Sequence, residues 1–208
     1  MDKKRYIFDL DRTLLTCDYE VVESAIFEPI FKERTPYLME NIGYLLNEYE
    51  MTHSYYEDEE LSDFLTRYSG LKFTPKIIRL WNNTMLNEAD TIEDGVIEVL
   101  DHLKSTGKSL VVLTNWYSLP QVDRLKKAEI YDYFDDVFTG EYQLKPHSEA
   151  YIIARGEFEP KDCLVIGDNI IKDYVGPRIN GIDAILYDKN YKHDNSYVKI
   201  KKIKELIR

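Results

Sequence analysis

The chain is short of positive charge. Against 38 aspartates and glutamates stand 27 lysines and arginines, a net charge of −11 over 208 residues. Such a protein presents no general basic face, which argues against nucleic acid or an anionic membrane as a partner. A small anionic substrate stays open, because a bound cation reverses the local field. Cysteine is scarce as well: Cys17 and Cys163 are the whole supply. They lack metal-ligand spacing and suggest no disulfide framework, so both read as ordinary reduced thiols. The four histidines, His53, His102, His147 and His193, show no paired spacing of the kind a zinc site needs. No apolar run is long enough to cross a bilayer. The short one near the start does not have the make-up of a signal peptide. A cytoplasmic protein, monomer or homodimer, is the expectation.

What is present is an ordinary globular composition, 44% hydrophobic and 31% charged, sufficient for one core with a modest insert. "RYIFDL", 5–10, reads as a short buried strand. Between about 17 and 88 the apolar period becomes helical, in four pieces. The first carries Val22, Ile26 and Ile30, with Pro29 expected to kink it or end it early. The second carries Leu38, Ile42, Leu45 and Tyr49, and the third Leu61, Phe64, Leu65 and Tyr68 up to Gly70. The fourth opens at Thr74 and Pro75. After Asp94, strands and helices alternate. A helix through Val96, Leu100 and Leu103 ends at Gly107, and "SLVVL" follows as a strand. Ser118 opens a helix, with Gln121 placed for a capping box. "DVFTG", "CLVIG" and "DAILYD" supply further strands, with Gly167 expected to serve a tight turn. This alternation predicts an α/β fold, a doubly wound parallel sheet with a small all-helical unit inserted after the first strand. The expected division is 1–16 with 89–208 for the α/β core and 17–88 for the helical unit.

Parallel sheets bind ligands at the carboxyl ends of their strands, near a topological switch point. Asp9 and Asp11 follow the first strand, two residues apart and therefore on one face. Thr114 and Asn115 follow "SLVVL"; Lys145 and Pro146 come after "DVFTG"; Asp168 follows "CLVIG", with Asp173 five residues on. Four carboxylates, an ammonium and a hydroxyl would then converge. Carboxylates crowd together stably around a hard cation, and oxygen ligands suit Mg²⁺. By contrast "YYEDEE", 55–60, has no basic or strand-end company and reads as a solvated face.

"DLDRT", "LTN", "LKP" and "GDNIIKD", in that order, resemble the four motifs of the haloacid dehalogenase-like (HAD) superfamily. The helical insert falls where that superfamily carries its C1 cap. The resemblance implies a Mg²⁺-dependent phosphatase acting on a small phosphorylated metabolite. In it, Asp9 is the nucleophile that forms an aspartyl-phosphate. Asp11 is the general acid/base, with its backbone carbonyl on the metal beside Asp9 and Asp168. Asp173 holds a metal-bound water or orients the metal's ligands, Thr114 hydrogen-bonds a phosphoryl oxygen, and Lys145 neutralises charge near Asp9 and the phosphoryl group. The hydroxyl of Thr13 braces the first loop. Arg12 stands where many relatives have glycine, so the position should accept a side chain without a positive φ. Arg12, Asn115 and Trp116 are candidate substrate contacts, Arg12 alternatively being a solvated or cap-facing arginine and Trp116 plain packing between cap and core.

The nearest rival within the superfamily is a phosphomutase, which uses the same two aspartates. Asp11 argues against a dehalogenase, and a phosphonatase would need a buried cap lysine, for which Lys32 and Lys72 are the candidates. Two readings lie outside enzymology. A phospho-accepting receiver domain has its acceptor after a middle strand and no late acidic motif, and a non-catalytic binding protein would be expected to lose motif residues.

Overall fold

In the computed structural model, which describes residues 2–86, 90–190, 192–194 and 196–207, the first strand, β1 (Arg5–Phe8), lies in the middle of a six-stranded sheet. Two residues of a short antiparallel ribbon follow as β2 (Leu15–Thr16). Four helices come next: α1 (Tyr19–Phe31), α2 (Thr35–Thr52), α3 (Asp58–Ser69) and α4 (Pro75–Met85). The ribbon closes with β3 (Thr91–Ile92) pairing back on β2. Alternation then begins: α5 (Val96–Ser105), β4 (Ser109–Leu113), α6 (Ser118–Lys127), β5 (Asp136–Phe138), α7 (Ser148–Arg155) and β6 (Cys163–Gly167). A π-helical turn (Ile170–Val175) leads into α8 (Gly176–Ile179), and β7 (Asp183–Tyr187) and β8 (Lys199–Ile200) finish the sheet.

Every neighbouring pair in the order β5-β4-β1-β6-β7-β8 is parallel. The chain builds leftward from β1 through β4 to β5, then returns to the other side of β1 as β6. The strand order therefore reverses at β1, and a crevice opens at its carboxyl end. Strand alternation sends Tyr6, Phe8, Leu110, Val112 and Ile166 to one face, against Val99, Leu100 and Leu103 of α5. Ile7, Val111, Val165 and Leu186 go to the other, against Ala150, Tyr151 and Ala154 of α7. Both faces are covered, as an all-parallel sheet requires.

The four helices between β2 and β3 bury an apolar cluster of their own, including Phe27, Leu38, Tyr49, Leu61, Ile78 and Trp81. The spacing read from sequence explains the seams: Leu38, Ile42, Leu45 and Tyr49 of α2 are all buried. Pro29 does not end α1 at once. It sits exposed inside α1, and the helix runs two residues past it to Phe31; its missing N–H and bulky ring are accommodated on the water-facing side, before a 3₁₀ turn (Lys32–Arg34). The loop between α2 and α3 seats this helical block over the crevice. Tyr56 N–H donates to the Gly140 carbonyl at 2.7 Å, and Leu144 N–H to that of Ser54 at 2.7 Å. A Cβ on Gly140 would lie 2.6 Å from the Tyr56 ring and 2.9 Å from the Trp116 nitrogen, so the close approach needs glycine there.

Candidate active site

Asp9 stands one residue beyond β1, its N–H bonded to the Ile166 carbonyl of β6 at 2.8 Å. Its carboxylate is nearly sealed from solvent and lies 2.6 Å, through Oδ1, from Nζ of Lys145. The same ammonium reaches Oδ1 of Asp173 at 2.6 Å. Lys145 is itself buried, so one positive charge bridges two acids in a medium that strengthens the attraction. Thr13 Oγ1 approaches the other Asp9 oxygen at 3.4 Å. One oxygen each from Asp9, Asp168 and Asp173 falls within a 4.8 Å cluster.

The electrostatics say what this cluster lacks. Burial pushes the Asp9 carboxyl well above the usual carboxylate range; Lys145 opposes this, while Asp173, Asp168 and Asp11 reinforce it. Burial, then Asp173, pushes Asp168 up to about 6. Lys145 is raised as well, which favours its charged form: burial disfavours that charge, but Asp173 and Asp9 outweigh it. Three crowded acids with one ammonium are short of positive charge, and hard oxygen donors at this separation fit a divalent cation such as Mg²⁺.

Gly167 has a role the sequence reading missed. Its φ is ordinary, but a Cβ there would sit 2.3 Å from Cγ of Asp173 and 2.5 Å from Oδ2. The glycine makes room for the carboxylate rather than for a turn. Asp173 is further held by the Asn169 N–H at 3.0 Å.

Asp11 belongs to a different set of partners. Its Oδ1 accepts from Arg124 Nη1 at 2.7 Å and from the Tyr19 hydroxyl. Its Oδ2 accepts from Gln121 Nε2 at 2.7 Å. Burial raises its pKa, but Arg124, Tyr19 and Gln121 outweigh that, and the carboxyl lies below its ordinary value. Its side chain is not among the clustered oxygens, which leaves only its backbone carbonyl for the metal role expected of it.

The other expected residues divide. Thr114 is buried, accepts from Gln121 Nε2 at 2.8 Å, and faces the crevice. Asn115 also lines it, but its side chain is engaged with the Lys145 backbone, accepting from N–H at 2.9 Å and donating to C=O at 3.1 Å. It braces the lysine instead of reaching outward. Arg12 lines the crevice with its guanidinium 5.2 Å above the Tyr19 ring. Its φ is +60°, which corrects the expectation of an ordinary backbone: the left-handed conformation of this tight loop is retained, with an arginine bearing the strain. Trp116, at φ +90°, packs on the helical block, 4.7 Å from the Trp81 ring and 5.3 Å from Tyr56, and lines the crevice as well.

Several residues of the site escaped the sequence reading. Gln121 makes no capping box; the residue before α6 is Tyr117 and no side chain caps it. Glu50 of α2 is buried, accepts from the Tyr56 hydroxyl at 2.7 Å and is ion-paired to Lys172. With Glu23 and Asn47 these side chains line a crevice of about 290 Å³, open to solvent, between the block and the sheet. Lys32 and Lys72 are exposed and away from it.

Residues 6–187 match the haloacid dehalogenase-like hydrolase family. The chain belongs to that family. Among its relatives is YfnB of Bacillus subtilis, named as a HAD-hydrolase, 25% identical over 98% of this chain and 94% of the relative. The magnesium-bound crystal structure of YfnB superposes with a TM-score of 0.70 at 22% identity, covering 99% of this chain and 97% of that one, which shows a shared fold. A glyceraldehyde 3-phosphate phosphatase of Methanocaldococcus jannaschii is 29% identical over 82% of this chain and 78% of its own. The pyrimidine 5′-nucleotidase PynA of Streptococcus pneumoniae is 25% identical over 90% and 85%.

Proposed function

We propose that this hydrolase is a Mg²⁺-dependent phosphatase of small phosphorylated metabolites, working through an aspartyl-phosphate on Asp9. The observation that carries the reading is the Asp9 carboxylate, buried at the strand-order reversal, with Lys145 at 2.6 Å and two further acids around it. Phosphatases among the relatives support the same reaction class.

An Asp9 oxygen attacks phosphorus, and the bond from phosphorus to the leaving oxygen breaks. Asp11 gives that oxygen a proton from its acid form, which Arg124 and its other donors disfavour until substrate is bound. Water then attacks the phosphorus, Asp11 takes the water's proton, the bond to Asp9 breaks, and phosphate leaves. Lys145 and Thr114 hold the phosphoryl oxygens as charge shifts onto them. Asp9, Asp168, Asp173 and the Asp11 carbonyl would hold Mg²⁺, which supplies charge neutralisation and in-line alignment when bound.

The helical block, which we assign as a cap, limits the substrate. A cavity of about 290 Å³ lies at the small end of ligand sites. Its lining is mixed: Tyr56, Trp81, Trp116 and Met85 are apolar or aromatic, whereas Glu23, Asn47 and Glu50 are polar. A compact leaving group with a flat or sugar-like face and hydroxyls suits both. The acidic surface, the small cavity and two free cysteines accord with a cytoplasmic enzyme acting on metabolites.

The test is hydrolysis of a generic aryl phosphate with Mg²⁺, which EDTA and Asp9→Asn should each abolish. A screen of sugar phosphates, nucleotides and phosphoglycolate then ranks substrates. Stable phosphorylation of Asp9 without turnover would overturn the phosphatase reading.

A further inference from the structure

Beside the Asp9 cluster lies a second buried network, centred on Arg124 of α6. A guanidinium carries five N–H groups, and here each has an acceptor. Nε donates to Asp90 Oδ2 at 2.8 Å. Nη2 donates to Asp90 Oδ1 at 2.7 Å and to the Tyr19 hydroxyl at 3.1 Å. Nη1 donates to Asp11 Oδ1 and to Gln121 Oε1, both at 2.7 Å. The side chain is only 1% exposed, so loss of any partner would leave a donor dry.

The places these partners occupy in the chain give the network its meaning. Tyr19 is the first residue of α1, where the chain leaves the sheet for the helical block. Asp90 immediately precedes β3, where it returns. The fork pair with Asp90 holds the second crossing, the hydroxyl of Tyr19 the first, and Asp11 hangs from the same guanidinium. The two oxygens of Asp11 are not equivalent. Oδ1 is anchored by Arg124 and by Tyr19, whereas Oδ2 has one neutral donor, Gln121. Asp11 is also 33% exposed, so it can meet a leaving group or a water in the crevice.

We propose that Arg124 is the positioning residue for Asp11: it anchors Oδ1, leaves Oδ2 as the oxygen that exchanges the proton, and ties the acid/base to both crossings of the helical block. This rests on the reading of Asp11 as the acid/base.

Single turnovers with enzyme in excess separate the steps. With Mg²⁺ and an aryl phosphate, whose leaving group needs little protonation, release of the phenolate reports phosphorylation of Asp9, and later release of phosphate reports its hydrolysis. In Arg124→Gln the phenolate step should stay within about threefold of wild type, while hydrolysis slows by about 10²-fold, the scale of a lost proton transfer, so that phosphoenzyme accumulates. With an alkyl phosphate the first step should slow as well. Asp90→Asn, which touches neither Asp11 nor the reacting atoms, should show the same split in smaller measure. On an Asp11→Asn background Arg124→Gln should add less than about threefold, since residues acting as a unit are not additive. Equal slowing of both steps with both substrates, or full additivity on that background, overturns the proposal. Tyr19→Phe removes one hydroxyl and keeps the pair with Asp90, so it reads the same split should Arg124→Gln fail to fold. If the wild-type chain forms no phosphoenzyme, the phosphatase reading fails by itself. The tie to the crossings is then read by amide hydrogen exchange at the β2–β3 pair: faster exchange in Asp90→Asn and Tyr19→Phe supports it, and unchanged exchange in both overturns it.

Discussion

Nζ of Lys145 stands 2.6 Å from Oδ1 of Asp9, with both side chains almost wholly withdrawn from water. The lysine is the protein's own counter-charge in a pocket of acids, and it reaches Asp173 at the same distance. Lys145→Met should therefore cost about 3–5 kcal/mol at neutral pH, the scale for removing one partner of a buried pair. Part of that loss should return when Mg²⁺ is added. Urea unfolding at pH 7 with and without Mg²⁺ measures both quantities, and turnover should be lost in the same variant.

Asp9 and Asp11 are expected to fail at different steps. Asp9→Asn should form no phosphoenzyme. Asp11→Asn should form it and hydrolyse it about 10²–10⁴-fold more slowly. Acid quench with radiolabelled substrate distinguishes the two; wild-type decay of the phosphoenzyme in Asp11→Asn would remove the acid/base assignment.

Gly167→Ala tests whether close packing at the end of β6 sets the metal site. The added Cβ would meet the Asp173 carboxylate at 2.3–2.5 Å, so the acid must move. Overpacking of this kind costs about 1–3 kcal/mol. Mg²⁺ affinity by calorimetry should weaken about tenfold or more, the effect of disturbing a residue that orients metal ligands.

Glu23 gives a pH signature. Burial pushes its carboxyl up to about 7, from an ordinary 4.5, against the pull of Arg12. The folded state thus binds the proton more tightly than the unfolded state. Its contribution to stability is fully present below about pH 4.5 and disappears as the pH rises through about 7. Glu23→Gln should remove that slope, so the difference in melting temperature between variant and wild type should grow from pH 5 to pH 8 in the variant's favour. With solvent screening at the crevice the gain is on the order of 1 kcal/mol, or about 2–4 °C for a chain of this size. Parallel melting curves at the two pH values check it.

Much of the site was legible because its parts sit at strand ends. A buried strand followed at once by Asp9 and Asp11, and another followed by Asp168, are local patterns that a parallel sheet turns into one place. Gln121 and Arg124 were not legible in this way. Written along α6, they look like one polar turn of an amphipathic helix; they matter because α6 packs where Tyr19 and Asp90 both pass, and no local period encodes that meeting. Glu50 was hidden for the same reason, its partner Lys172 being far along the chain. Gln121 also shows how a local rule misleads: spacing suited a cap, but the amide found Asp11 and Thr114 instead.

The sequence by itself determined the parallel sheet and the helical insert, because strand alternation and helical spacing are short-range properties of the chain; the reaction class came from the resemblance of four strand-end motifs to a known superfamily. Only the tertiary structure decided how the acids divide. Asp9 went to Lys145 and the clustered carboxylates, Asp11 to Arg124 and the two crossings, although they stand two residues apart. Their neighbours in sequence are the same. The charged partners that separate them, Lys145 for Asp9 and Arg124 for Asp11, lie more than a hundred residues away, and only the packed fold brings those within hydrogen-bonding distance.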